Sequence, residues 1–189
     1  MRLFWALELP DPHKDALLAM QVGLGSRDRR APVRWVRRDE LHLTLKFLGD
    51  AAEDGPMVEA VRAALSGVAP FQLGLEAAGS FGGSRPRVLW AGVGGPGLAA
   101  LGELAGRIED ACLVAGFPRD ARGFHAHVTL GRVAQGRGAL TTLRDALRRV
   151  RPPAGLPPFE ARQAVLFESR LEQGRPPVYS IRARVDLTG

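Results

Sequence analysis

The sequence predicts an α+β fold built from two similar halves, each a β-α-β-β-α-β unit. Two pairs of matching segments lie 85 residues apart. Arg2–Ala6 matches Arg87–Ala91, and His42–Leu45 matches His127–Leu130. A third match, Pro70-Phe71 with Pro158-Phe159, has a spacing of 88 residues. Self-similarity at a fixed spacing indicates a duplication. We therefore expect one bilobal domain over residues 1–189, with repeats of approximately 1–84 and 85–189.

Apolar patterning supports the order of elements in the first half. An apolar, β-rich run predicts a strand at 3–8, and Asp11-Pro12 then supplies a cap and a first-turn proline for a helix. Further along the chain we expect strands at 34–36 and 41–47, a helix that begins near Pro56, and a strand at 71–75.

The second half repeats this order. We expect strands at 87–93 and 125–132, a helix with its apolar stripe from 98 to 115, a helix at 140–150, and closing strands at 159–167 and 178–187. Segment 79–86 is the expected seam between the halves. Antiparallel sheets would then surround a central cleft, with the helices outside.

Composition restricts where the protein works and what it binds. Cys112 is the single cysteine, so no intramolecular disulfide can form, which fits a reducing cytoplasm. No apolar stretch approaches the roughly 18 residues that span a bilayer. The net charge is +6, and 24 of the 26 cationic residues are arginine, whose planar fork matches phosphate. We expect a cytoplasmic monomer with no membrane contact and a polyanionic partner.

The two His-x-Thr motifs are the strongest functional signal. Side chains alternate along a strand, so His42 and Thr44 should face one side while Leu43 and Leu45 face the core. The same reasoning applies to the motif His127-Val128-Thr129. If the halves are related by a pseudo-twofold axis, both polar faces meet in one cleft.

Such a pair of histidines suits phosphodiester chemistry. An in-line displacement has its entering and leaving oxygens on opposite sides of phosphorus, so one imidazole can deprotonate the nucleophile while the other protonates the leaving oxygen. Neutral and protonated imidazole coexist near a pKa of about 6.5. The threonine hydroxyls can hydrogen-bond the non-bridging oxygens. This chemistry requires no metal and no cofactor, and we expect neither.

The paired motifs resemble the signature of the 2H phosphoesterase superfamily. Within it, the runs 41–49 and 122–132 are similar to those of bacterial and archaeal RNA 2',3'-cyclic phosphodiesterases, also called 2'-5' RNA ligases. The resemblance extends over essentially the whole chain. It implies hydrolysis of a 2',3'-cyclic phosphate at an RNA 3' end, tRNA fragments included, to a 2'-phosphate. It also implies reversible, ATP-independent joining of such an end to a 5'-hydroxyl.

The resemblance also assigns roles. His127 would activate water and His42 would protonate the leaving 3'-oxygen, while Thr44, Thr129 and Arg132 would bind phosphate. One departure is Ala126, where family members usually have proline before the second motif histidine.

Several further residues are weaker candidates. Phe47 and Phe4 are possible stacking partners for a base, and both could equally be core residues. Arg122 and His125 precede the second motif and are possible RNA contacts, although His125 could instead pair with His127 at a metal. His13 is expected on the surface.

Other functions remain open at this point. The protein could act on small cyclic nucleotides or 2'-5' oligonucleotides, or it could bind RNA ends without catalysis. Gly92–Gly97 fits the glycine pattern of dinucleotide-binding proteins, but no suitably placed acidic residue follows it. An ATP-dependent ligase is disfavoured because the chain lacks both a phosphate-binding P-loop motif and a K-x-D-G motif.

Overall fold

The computed structural model describes residues 2–27, 33–51, 54–134, 140–170 and 177–189. Within these ranges the strands are β1 (Arg2–Glu8), β2 (Val33–Trp35), β3 (His42–Asp50), β4 (Phe71–Phe81), β5 (Val88–Gly94), β6 (His127–Val133), β7 (Phe159–Ala161), β8 (Gln163–Arg170) and β9 (Val178–Asp186). The α-helices are α1 (Asp11–Gly23), α2 (Gly55–Ala64), α3 (Leu98–Val114) and α4 (Leu140–Arg149).

The strands form one antiparallel sheet in the order β7-β4-β5-β6-β3-β1-β8-β9, with the short β2 also paired to β6. Helices pack against one face of this sheet. In α1, Gln21 donates hydrogen bonds to the carbonyls of Val36 and Leu130, and Trp5 in β1 points its indole at Met57 in α2. The predicted α+β class is confirmed. No helix in the described residues has the length and apolar character needed to cross a bilayer.

Each repeat contributes a strand that pairs with the first strand of the other repeat. β4 lies against β5, and β8 lies against β1. Each half of the sheet therefore contains strands from both repeats, and β3 and β6 meet at its centre. The segment expected to be a seam, 79–86, holds the end of β4 and the turn into β5. The division of the sequence at about residue 84 stays a prediction.

The pairing registers show that Trp5 in β1 and Trp90 in β5 are not structurally equivalent, although the sequence match aligns them. In β1, Ala6 lies opposite Thr44, whereas in β5 it is Trp90 that lies opposite Thr129. When the two histidine motifs are aligned at their spacing of 85 residues, Ala6 and Trp90 become equivalent, and the spacing between these two strands is 84 residues. A shift of one residue moves a side chain to the other face. Trp5 is therefore fully buried beneath the sheet, while Trp90 lies on the face of Thr129.

Smaller differences also have local causes. Asp11 does not cap α1 with its side chain, although Pro12 stands in the first turn as expected. The single strand predicted at 159–167 is split at Arg162, whose carbonyl accepts a hydrogen bond from Leu187 N. His13 was wrongly placed on the surface. It is 3% exposed and hydrogen-bonded through Nε2 to the Pro157 carbonyl at 2.9 Å.

Candidate active site

The two motif strands are neighbours at the centre of the sheet. Leu43 in β3 lies opposite Val128 in β6, and both are fully buried. Continuing this antiparallel register places His42 opposite Thr129 and Thr44 opposite His127, so that all four share the face away from Leu43 and Val128. The two histidines are then diagonal neighbours, about 7–8 Å apart at Cα. This separation leaves room for one phosphate group between the rings.

A matching β-bulge follows each motif. The register of β1 shifts opposite Thr44 and Lys46, and that of β5 shifts opposite Thr129 and Gly131. A bulge of this kind re-aims the side chains beyond it and is common beside active sites. Phe47 and Arg132 occupy the equivalent positions after the two bulges. Because both are exposed and line the cleft, the duplicated site has an aromatic group in one repeat and a cation in the other.

His42 is packed among aromatic rings. Phe4 stacks on its imidazole with ring centroids 4.7 Å apart, and Tyr179 meets it edge-on at 5.5 Å. Phe167 lies at 6.2 Å. The Nδ1 atom is 2.7 Å from the Glu40 carbonyl oxygen. Since a carbonyl only accepts hydrogen bonds, Nδ1 carries the hydrogen and Nε2 is left as the reactive nitrogen.

His127 has a parallel but more open environment. Its Nδ1 donates to the His125 carbonyl oxygen at 2.7 Å, which again leaves Nε2 for substrate. Phe81 meets its ring edge-on at 5.0 Å. The ring of His125 packs 5.6 Å away and contacts Trp90 at 5.1 Å. Both histidines are therefore held in the same tautomer by a carbonyl two residues earlier in the chain.

Burial controls the protonation of both histidines. It lowers the pKa of His42 to about 4, and the hydrogen bond to the Glu40 carbonyl offsets only part of that effect. Burial also lowers the pKa of His127 below its ordinary value; the hydrogen bond to the His125 carbonyl opposes this effect, and the positive charge of Arg132 adds to it. In the free protein at neutral pH both rings are thus mainly neutral.

A cavity opens beside His42 on the polar face. It is lined by Arg34, Trp35, Val36, Glu40, His42, Thr44, Phe47, Thr129, Arg132, Pro177 and Tyr179. Four of the residues predicted from the motifs and their surroundings, His42, Thr44, Thr129 and Arg132, therefore share one space with Phe47. His127 is not among the residues that line this cavity.

Of the weaker candidates, Phe4 and His125 pack beside the motif histidines, whereas Arg122 does not line the cavity. Phe4 is 3% exposed yet contacts the His42 ring, so it supports the histidine rather than offering a free surface for stacking. His125 belongs to the ring cluster around His127. The Arg122 side chain is 89% exposed, lies 3.6 Å from Asp120 and is not among the residues lining the cavity. No group of three or more potential metal ligands occurs among the described residues.

Sequence reasoning missed Tyr179, Phe81, Phe167 and Arg34 as parts of the site. Tyr179 is the single tyrosine of the chain and lies in β9, which is separated from β3 by the two strands β1 and β8. Phe81 in β4 and Phe167 in β8 occupy equivalent positions, because each of these strands pairs with the first strand of the other repeat. Phe81 lies opposite Val88, and Phe167 lies opposite Phe4. A search for aromatic residues at alternating positions of these strands could have found them.

Lys46 links β3 to the segment that leads into the second motif. It is 3% exposed, and its ammonium donates to Glu109 at 2.9 Å and to the Pro118 carbonyl at 2.8 Å. The same Glu109 oxygen accepts from Asp120 N at 2.8 Å. One buried ion pair thus joins a strand, a helix and a loop.

Comparison with known proteins settles the family. The family model described as the 2'-5' RNA ligase superfamily matches residues 10–171, which include both motifs. The chain belongs to the 2'-5' RNA ligase superfamily. The resemblance read from the motifs, to the 2H phosphoesterases, is therefore confirmed.

Curated relatives of this superfamily include proteins named RNA 2',3'-cyclic phosphodiesterase. The protein of Geobacillus stearothermophilus is 35% identical over 98% of this chain and 57% of its own length. That of Methanothermobacter thermautotrophicus is 35% identical over 70% of this chain and 71% of its own length. The chain thus spans little more than half of the first of these relatives.

A solved structure has the same architecture. Escherichia coli LigT complexed with 3'-AMP superposes with a TM-score of 0.75 at 26% identity, covering 100% of this chain and 98% of that chain. The two proteins therefore share their fold over essentially their whole length.

Proposed function

We propose that this chain hydrolyses the 2',3'-cyclic phosphate at an RNA 3' end to a 2'-phosphate. The register of β3 against β6 is the observation that carries the proposal, because it puts two histidines with free Nε2 atoms on one polar face. The names of the curated relatives point to the same reaction. The substrates would be RNA ends, tRNA fragments among them, met in the cytoplasm by a monomer.

The reaction follows from the placement of the two rings. Water attacks phosphorus in line with the 3'-oxygen, and His127 Nε2 takes the proton from the water. The bond between phosphorus and the 3'-oxygen breaks, and the Nε2–H of protonated His42 protonates that oxygen. The products are a 2'-phosphate and a 3'-hydroxyl. Thr44 and Thr129 hydrogen-bond the non-bridging oxygens, and Arg132 stabilises their negative charge.

The low pKa of His42 bears on its role as the acid. An imidazole with a pKa of about 4 holds little proton at neutral pH in the empty site. A bound cyclic phosphate brings a negative charge next to both rings and raises both pKa values. The proton that His42 gives to the 3'-oxygen is therefore taken up as the anion binds.

The same geometry supports ligation without ATP. A 5'-hydroxyl of a second RNA end can take the place of water, so that its oxygen attacks phosphorus and the 3'-oxygen leaves. The product is then a 2'-5' linkage, and the reverse step regenerates the cyclic phosphate. The two imidazoles supply every proton transfer in both directions, so we propose that the reaction is metal-independent.

The test is an RNA oligonucleotide ending in a 2',3'-cyclic phosphate, incubated with the protein and a chelator. We expect a 2'-phosphate product from the unaltered protein. His42→Ala and His127→Ala should each lower the rate by about a hundredfold or more, as loss of a general acid or base does. Thermal unfolding of each variant serves as the control for folding.

Each other outcome speaks against the proposal. Full activity in either variant, or a 3'-phosphate product, contradicts the assigned chemistry. Turnover of small cyclic nucleotides alone would replace RNA with another substrate. Tight binding of the RNA without product would favour a non-catalytic RNA-end binder.

A further inference from the structure

Strand β2 brings a second arginine to the cavity. In its three-residue pairing with β6, Arg34 lies directly opposite Arg132, and both are exposed. Like charges directly opposite each other in a sheet are destabilising. Within the part of the chain that the structure describes, neither guanidinium has an acidic partner within ion-pair distance. This pair therefore holds positive charge that no ion pair with another described residue neutralises.

Both arginines act on the same corner of the cavity. Arg34 and Arg132 line it together with Tyr179. Burial raises the pKa of the Tyr179 hydroxyl and the Glu40 carboxylate raises it further, while the charges of Arg132 and Arg34 oppose both effects. Arg132 lies five residues beyond His127 along β6, and β2 pairs with β6 at this same end. Arg34 is therefore positioned at the end of β6 that lies away from His127.

Arg34 comes from an element that the duplication does not repeat. The described segment 115–126, which precedes the second motif, contains no strand equivalent to β2. Strand β2 thus adds a cation at the end of β6 that lies away from His127. An RNA strand whose terminal phosphate lies between the two histidines has a further phosphodiester, the one that joins the terminal nucleotide to the nucleotide before it.

We propose that Arg34 binds the phosphodiester on the 5' side of the terminal nucleotide and so selects polynucleotide ends over mononucleotides. The inference rests on the proposed function. The guanidinium offers two parallel N–H donors to the two non-bridging oxygens of this phosphodiester. Arg132 then serves the reacting phosphate, and Arg34 serves its neighbour.

Three substrates separate these roles. They are a nucleoside 2',3'-cyclic phosphate with a free 5'-hydroxyl, the same compound with a 5'-phosphate, and a dinucleotide ending in a 2',3'-cyclic phosphate. We expect Arg34→Gln to lower kcat/KM about tenfold or more on the second and third, as loss of a charged hydrogen bond does. On the first, kcat/KM should change less than about twofold.

Two variants serve as controls. Arg34→Lys keeps the charge but loses the two-donor fork, so it should recover only part of the loss. Arg62→Gln removes an exposed arginine from α2, where it lies 3.6 Å from Glu59, and should leave all three rates unchanged.

The outcomes distinguish the two proposals. An equal loss on all three substrates would assign Arg34 to the reacting phosphate and overturn the inference, and so would no loss on any. If the unaltered protein turns over none of the three, the proposed function fails instead. Salt provides a second readout, since Arg34→Gln should reduce the dependence of dinucleotide KM on ionic strength.

Discussion

At the scale of single residues, each histidine is held by its own aromatic neighbour. Phe4 covers the His42 ring at 4.7 Å, while Phe81 meets the His127 ring at 5.0 Å. The stacked contact excludes water from His42 more completely, and burial is the largest cause of its low pKa. The two aromatic rings thus give equivalent histidines different proton affinities.

We predict that Phe4→Leu raises the pKa of His42 from about 4 toward 6.5, because a smaller side chain admits water to the ring. The His127 titration should stay in place. Histidine ring signals followed by NMR across pH 3.5–8 would measure both. Phe81→Leu is the matched control and should move only His127. Equal movement of both rings in either variant would contradict this account.

The sequence predicts the histidines and threonines well, because strand alternation alone decides which face they occupy. It does not predict Phe47 or Lys46 correctly by alternation. A regular strand would place Lys46 beside His42 and Phe47 in the core, and the bulge reverses both. Phe47 is 59% exposed, whereas Lys46 is 3% exposed. Arg34 and Tyr179 enter the site through pairing between distant strands, which local patterns do not encode.

At the scale of elements, the exchanged strand β4 supports the second motif. Its Gly79 lies opposite Trp90 of β5, and a Cβ at that position would overlap the Trp90 ring. Trp90 in turn packs against His125 at 5.1 Å and lies 6.4 Å from His127. A glycine in β4 therefore sets the position of an aromatic side chain beside the site.

We predict that Gly79→Ala lowers the free energy of unfolding by about 1–3 kcal/mol, the usual cost of overpacking. It should also lower the rate of cyclic phosphate hydrolysis, since the displaced Trp90 moves His125 and His127. Urea unfolding and a hydrolysis assay measure the two effects. Gly74→Ala in the same strand is the control, because a Cβ there meets nothing within 4 Å. Matching losses in both variants would show a strand effect unrelated to Trp90.

At the scale of elements, the sequence does not predict which strands are exchanged between the two repeats. The order of strands and helices follows from apolar periodicity, and nearly every expected element is present. The pairing partners do not follow, because β4 has the same alternating pattern whether it lies against β1 or β5. Only the observed pairing of β4 with β5 and of β8 with β1 shows how the two repeats are joined.

At the scale of the whole molecule, the buried histidines connect the site to stability. A histidine whose pKa is lowered by folding binds a proton less readily in the folded state than in the unfolded one. Between pH 4 and 6.5 the unfolded chain therefore carries more protons, and the free energy of unfolding rises with pH. Lowered carboxylate pKa values, such as that of Asp54 beside Arg182, act in the same direction but at lower pH.

We predict that the protein gains up to about 3 kcal/mol of stability from His42 as pH rises from 4 to 6.5, the equivalent of its pKa shift. This contribution is complete above pH 6.5 and is lost as pH falls toward 4. Urea unfolding at several pH values would give the slope. His42→Gln should remove most of it, and His127→Gln should remove a smaller part because that ring is more open. If the free energy of unfolding of His42→Gln has the same slope against pH as that of the unaltered protein, the His42 imidazole is already solvated in the folded protein. The enclosure by Phe4, Phe167 and Tyr179 would then not control its protonation.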